Sequence, residues 1–183
     1  MWMIKRFFIF LSLIISTLLF LVFPISCEDN SELDDVWFRD PNGLFHTTEL
    51  KLAQNEIPFP IIIPTYLPSD IDYPCLIEGP YLSPISDGIK VNISYTDGDK
   101  RIFISEQNDY QVKIPAPELE AVYLDIAGIK VLGQITHLYS VERTITGYSY
   151  HWNQNRLTFE VDVFFYSADE GAKIVKSMIE QMN

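Results

Sequence analysis

Basic residues are scarce in this 183-residue chain: 13 Lys and Arg stand against 25 Asp and Glu, a formal net charge of −12. A nucleic-acid binder neutralises phosphates with Lys and Arg, so that class of partner is excluded. Cysteine is scarcer still, with 2 in the chain. Two cysteines give no disulfide framework, and no Cys-x-x-Cys pair or helical His-Glu-x-x-His supplies the common zinc sites. Glycine-rich phosphate cradles are missing too, as there is no P-loop and no dinucleotide fingerprint. These absences predict no metal, no cofactor, no catalytic set and no enzymatic activity. The length suffices to bury a core without staples and leaves little room for a second full domain.

Charge is also absent from one long stretch near the start. Lys5 and Arg6 precede residues 7–23, a run of 17 residues without a charged side chain. Pro24-Ile25-Ser26-Cys27 follows, and acids begin at Glu28. A basic end, an apolar stretch and small residues before a cut form the three-part layout of an export signal. Ile25-Ser26-Cys27 resembles the end of the bacterial lipoprotein signal motif, in which the cysteine receives lipid. Pro24 departs from that motif, where leucine is usual. The resemblance implies a lipoprotein-type signal peptide over residues 1–26 and lipidation at Cys27. The alternative is an uncleaved N-terminal anchor, because roughly 20 apolar residues span a bilayer and this run is close to that length. Either reading places the remainder outside the cytoplasm, tethered to the membrane of a bacterial cell envelope by lipid or helix. Residues 27–183 hold 11 Lys and Arg against 25 Asp and Glu, a net charge of −14.

Residues 27–46 begin with an acidic, polar run and read as a solvated tether. Residues 47–183 read as one α+β extracytoplasmic domain. A short helix is expected over residues 47–55, capped by Thr47 or Thr48 and ended by Pro58 and Pro60. Residues 61–68 carry prolines that forbid a central strand, so they are expected to cross the core as an extended segment. An irregular strand containing Cys75 and Ile77 is expected over residues 71–82.

The alternation Ile89, Val91, Ile93, Tyr95 against Lys90, Asn92, Ser94, Thr96 marks a half-buried strand. Asp97-Gly98-Asp99 turns the chain, and Ile102 and Ile104 continue the apolar face. A turn at Asp97-Gly98 pairs Ile93 with Ile102; a turn at Gly98-Asp99 pairs Tyr95 with Ile102. In a second hairpin, Tyr148, Tyr150 and Trp152 alternate before Asn153-Gln154-Asn155, and Leu157, Phe159 and Val161 alternate after it. A turn centred on Gln154-Asn155 pairs Trp152 with Leu157 and Tyr150 with Phe159. Two further strands, Ala121–Ile126 and Ile129–Tyr139, join near Gly128. Ser167 and Glu170 suit a capping box, and Ala168, Ala172, Val175, Ile179 and Met182 recur at helical spacing, with Met178 beside them. The expected fold is α+β: a mainly antiparallel sheet with a short N-terminal helix and a C-terminal helix packed on it.

Phe59-Pro60-Ile61-Ile62-Ile63-Pro64-Thr65-Tyr66-Leu67-Pro68 resembles the "FPvlvPtyLPeG" opening of a bacterial extracytoplasmic domain family of unknown function. That family occurs at the C-terminal ends of anti-sigma-factor-like and lipoprotein-sorting-like proteins. The hairpin around Tyr95 and Ile104, Trp152, and the closing helix from Ala168 to Ile179 are similar to its later landmarks. Ser69-Asp70 departs from the acidic-glycine pair of the family. The resemblance spans roughly residues 56–181 and implies a fold and a location, with no catalytic residues.

The remaining polar features have plain readings. Gly147-Tyr148-Ser149-Tyr150-His151 superficially resembles a nucleophile elbow but lacks its second glycine and lies in a strand pattern. Asp97-Gly98-Asp99 lacks the spacing of a calcium loop. Asn92-Ile93-Ser94 is a glycosylation sequon by chance. His46, His137 and His151 are far apart in sequence. His151 is expected on the polar face opposite Thr158 and diagonal to Glu160, where a carboxylate would favour its charged form. If the sheet exceeds what its helices cover, its exposed aromatic surface is the route to a partner. The expected role is binding, to an envelope protein or an apolar ligand. The alternatives are a ligand-free accessory or sensor-like interaction module, or an envelope enzyme.

Overall fold

The computed structural model describes residues 37–71, 75–82, 88–108, 121–139 and 144–183. These residues belong to the compact unit Asp35–Asn183. Cys27, the residues read from sequence as an export segment and the acidic run that follows lie outside the described residues.

Nine strands form one mostly antiparallel sheet, in the order β1-β2-β3-β4-β5-β9-β8-β7-β6. They are β1 (Trp37–Arg39), β2 (Phe45–Thr47), β3 (Leu76–Leu82), β4 (Ile89–Asp97), β5 (Lys100–Gln107), β6 (Ala121–Ile126), β7 (Ile129–Tyr139), β8 (Thr144–Gln154) and β9 (Leu157–Phe164). Among the described residues two helices accompany it: α1 (Leu50–Glu56) and the C-terminal α2 (Ala168–Gln181). Among the described residues no helix is long and apolar enough to cross a membrane.

The sheet begins at Trp37, inside the stretch read from sequence as a tether. The cause is the turn Asp40-Pro41-Asn42-Gly43. Asp40 Oδ1 accepts from the backbone N–H of Asn42 and of Leu44, at 2.8 and 2.9 Å, and Gly43 adopts φ +86°. An aspartate that captures its own following amides is a strong local turn former. It folds β1 back on β2, and Arg39 then pairs with Glu56 at 2.5 Å. Thr47 closes β2 and its Oγ1 accepts from Glu49 N, so α1 starts later than expected, at Leu50, with no side-chain cap.

Alternation sets the core face. Ile77, Val91, Ile93, Ile102, Ile104, Phe159, Val161 and Val163 point to one side and are fully buried. The first hairpin turns at Gly98-Asp99: Tyr95 pairs with Ile102 and Ile93 with Ile104. Gly98 takes φ +57°, the left-handed conformation that a glycine adopts at least cost.

The second hairpin corrects the expected register. Its turn residues are Asn155 and Arg156, so Trp152 faces Phe159 and Tyr150 faces Val161. Both turn residues have positive φ, 49° and 67°, as a type I′ turn requires, and asparagine tolerates that region better than glutamine. The shift of two residues keeps every side chain on its expected face. Trp152 and Phe159 stack with centroids 4.8 Å apart.

Helix α2 presents Ile174, Val175, Met178 and Ile179, all fully buried, to the sheet. The expected Ala172, Val175, Met178, Ile179 and Met182 lie in or against the core, Gly171 and Ile174 join them, and Ala168 is exposed. A Cβ at Gly171 would lie 2.5 Å from the Tyr150 ring, so the helix sits that close because the residue has none. Half of the expected capping box forms: Ser167 accepts from Glu170 N, while the Glu170 carboxylate turns to Tyr66 and Lys173.

Residues 57–68 run without regular structure, as their prolines dictate, and bury Ile57, Phe59 and Ile61. Side chains replace the missing ladder. Gln54 bonds Phe59 O and Ile61 N, Gln181 donates to Ile63 O, and Ile62 N donates to Glu106.

Candidate functional site

A hollow of about 260 Å³ opens on the apolar side of the sheet, where β6, β7 and β8 meet the start of α2. Its origin is one residue. The pairing aligns Val122, Gly133 and Tyr150 across three strands. Gly133 has no side chain, so the row is empty at its centre, and Leu124 leans to within 3.2 Å of where a Cβ would stand. Ile135 and Tyr148 extend the wall. Tyr150 fixes the rim: its hydroxyl donates to Ala168 O at 2.6 Å, and burial pushes its pKa up to about 12. The lining is apolar and aromatic with one amide, Gln134, which suits an apolar group with little polar decoration.

The opposite side of the sheet carries a polar row that sequence reasoning did not assemble. Successive pairings align Phe38, His46, Glu78, Asn92, Ser105, Glu160 and His151 across the strands. Phe38 stacks on His46 at 4.4 Å, and His46 Nδ1 lies 2.7 Å from Glu78 Oε1. Ser105 donates to Asn92 at 2.9 Å.

His151 departs from its expected place. It stands opposite Glu160, and only 5% of it is exposed. Its Nε2 lies 2.9 Å from Ser149 Oγ and 3.2 Å from Gln134, and its Nδ1 is 3.9 Å from Glu160 Oε1. Hydroxyl on Nε2 and carboxylate toward Nδ1 is the order of a serine–histidine–acid relay. Ser149 is 1% exposed, however, so its hydroxyl has no open path to a substrate carbonyl in this conformation. His137, on the same strand as Gln134, meets Thr146 Oγ1 at 3.3 Å. Among the described residues no three His, Cys, Asp or Glu side chains are placed to hold a metal ion.

Two further groups of ionisable residues escaped the sequence reading. At the end of the proline-rich segment, Asp70 pairs with Lys100 and accepts from the Tyr166 hydroxyl at 3.3 Å. Beside it, Glu170 pairs with Lys173 at 2.6 Å and accepts from Tyr66. The lysine and the tyrosine together hold the Glu170 carboxyl below its usual range. These side chains edge a polar cleft of about 280 Å³. Each carboxylate already has a cation and a hydroxyl, which makes the cluster a clasp between the segment and α2.

The second group is Glu106, fully buried on the apolar face. Both carboxyl oxygens accept from Ile62 N, at 3.0 and 3.1 Å, and burial pushes the pKa up to about 8. Its parity with Ile102 and Ile104 was the available signal. Cys75 is buried beside the strand, where desolvation raises its thiol pKa. Asn92-Ile93-Ser94 lies within β4, with Ile93 fully buried. No protein-family model, curated protein or solved structure matches this chain.

Proposed function

We propose that this chain is a membrane-tethered, extracytoplasmic lipoprotein of the bacterial envelope that acts by binding rather than by catalysis. The observation that carries the binding reading is the apolar hollow at Gly133, between β6, β7, β8 and α2. A hollow with apolar walls and one amide takes an apolar group, whether a small ligand or a side chain of a protein partner. The tethered reading rests on Lys5-Arg6, the uncharged run after them and Ile25-Ser26-Cys27. The likeness of residues 59–68 to the extracytoplasmic family of unknown function points the same way, to location rather than to chemistry. With a net charge of −14 over residues 27–183, the domain gains no attraction to anionic headgroups, so attachment depends on Cys27 or on an uncleaved N-terminal anchor.

Two measurements test this reading. Cys27→Ala is expected to abolish incorporation of labelled fatty acid and to leave the precursor uncut; unchanged labelling removes the lipoprotein assignment. An environment-sensitive apolar dye is expected to bind the full chain and to bind Ile135→Glu about tenfold more weakly. Equal binding by the variant places the apolar site elsewhere.

A further inference from the structure

The buried glycines Gly133, Gly147 and Gly171 differ in what a side chain would meet. At Gly171 a Cβ would lie 2.5 Å from the Tyr150 ring, and at Gly147 it would strike Val163 O and the Phe164 ring. Both are glycine for lack of room. At Gly133 the nearest atom would be Leu124 Cδ1 at 3.2 Å, the end of a side chain that can give by a few tenths of an ångström. Its φ lies outside the left-handed region, so the backbone does not demand glycine. The pairing runs without a shift through Val122, Gly133 and Tyr150, so there is no bulge. A glycine inside a strand weakens it, and one that no bulge or bend explains marks a close approach by something else.

We propose that Gly133 keeps the hollow open for a free, flat, uncharged aromatic molecule about the size of two fused rings. The proposal rests on the binding reading above and names the ligand class of that hollow. Size sets the first limit. An apolar cavity of about 150 Å³ takes one benzene ring, so a hollow of about 260 Å³ takes a fused pair and encloses it whole. Shape sets the second. Leu124 and Val131 stand paired one row along the strands from Gly133, and Ile135 and Tyr148 stand paired one row the other way. The space is bounded along the strands, and an extended acyl chain has no groove to follow.

The walls set the third limit. Val122 and Tyr150 flank Gly133 at two strand spacings, about 10 Å, which leaves a slot between their side chains for one flat group. Tyr150 is a fixed wall, because its hydroxyl donates to Ala168 O at 2.6 Å and its ring lies against Gly171. An aromatic ring set against it gains an offset or edge contact beyond the area it buries. No charged side chain lines the hollow, so a charged ligand would lose its water without replacement.

The test uses the full chain in lipid nanodiscs, because detergent would compete for the hollow. Indole is the probe and empty nanodiscs are the blank. The methyl resonances of Val122, Leu124 and Ile135 are expected to shift through the ring current as indole is added. Octanol, apolar but without a ring, is expected to bind about tenfold more weakly. Gly133→Val fills the hollow and is expected to weaken indole binding by about tenfold or more. Its unfolding midpoint is expected to hold or rise, because valine suits a strand better than glycine. Should valine distort the sheet, Gly133→Ala decides, with binding weakened about threefold. Undiminished shifts in either folded variant overturn the proposal. Octanol binding as tightly as indole overturns it too. A short peptide with one central tryptophan that binds about tenfold more tightly than indole also overturns it, in favour of a partner's side chain. The apolar dye separates this inference from the reading beneath it. Dye binding without indole shifts leaves an apolar site and removes the ring ligand, whereas loss of both removes the binding reading itself.

Discussion

The two faces of the sheet obey one alternation and arrive at different chemistry. The face toward α2 is aliphatic and aromatic, and the acid fully buried on it, Glu106, is pushed up to about 8 by burial. The opposite face carries His46, Glu78, Asn92, Ser105, Glu160 and His151 in a single row, with ring and carboxylate neighbours in succession. A group placed among apolar side chains gives up its charge, because nothing there replaces its water. A group placed in a polar row keeps company with partners of its own kind. At Glu106, side-chain parity therefore bears on protonation as well as on exposure.

Three substitutions can break that comparison, and the largest effect belongs to the apolar face. Ile93→Asp buries an unpaired carboxyl against Ile77 and Ile104 and is expected to cost about 3–5 kcal/mol in urea unfolding, enough to threaten the fold. A neutral result would mean that the apolar face is not the buried one.

Glu106 provides the next effect, and its signature is a pH slope. Its folded pKa, about 8, lies above the ordinary 4.5. Between those values the folded chain holds a proton that the unfolded chain has released. Stability contributed by that proton is complete below about pH 4.5 and declines as pH rises to about 8. Glu106→Gln keeps an acceptor for Ile62 N and removes the titration. It is expected to flatten the slope and to be the more stable chain at pH 8 and above, read from unfolding midpoints across the pH range. A variant whose slope matches the parent would show that another group titrates.

The smallest effect is expected on the polar face. Glu78→Gln keeps a hydrogen-bond partner for His46 Nδ1 and is expected to shift stability by under about 1 kcal/mol. A loss as large as that at Ile93 would erase the distinction between the faces.

Strands were legible in the sequence where alternation was strict, as in β4, β5, β8 and β9. Hairpin turns were less so. The backbone of a type I′ turn selects Asn155-Arg156 through its positive φ, whereas side-chain parity is indifferent to a shift of two. Features built from distant segments left the weakest trace. The hollow depends on Gly133 standing between Val122 and Tyr150, and Glu106 finds its amide donor 44 residues away at Ile62. His151 was placed on its correct side of the sheet but beside the wrong neighbour, through the same two-residue shift. The stripe of α2 was legible from Ala172 to Met182; Gly171 was not, because it is not apolar by composition, yet the close approach to Tyr150 needs it.

The shortness of β1 has a mechanical consequence. The chain enters the sheet through Trp37–Arg39, which pairs with β2 alone. A pull on the entering chain meets those few ladder bonds and the Arg39–Glu56 pair before it reaches the core around Ile93 and Ile104. Strand β1 is thus a fuse. It is expected to peel first and, with the turn before Phe45 freed along with it, to release residues 37–44, about 26–29 Å of chain at full extension.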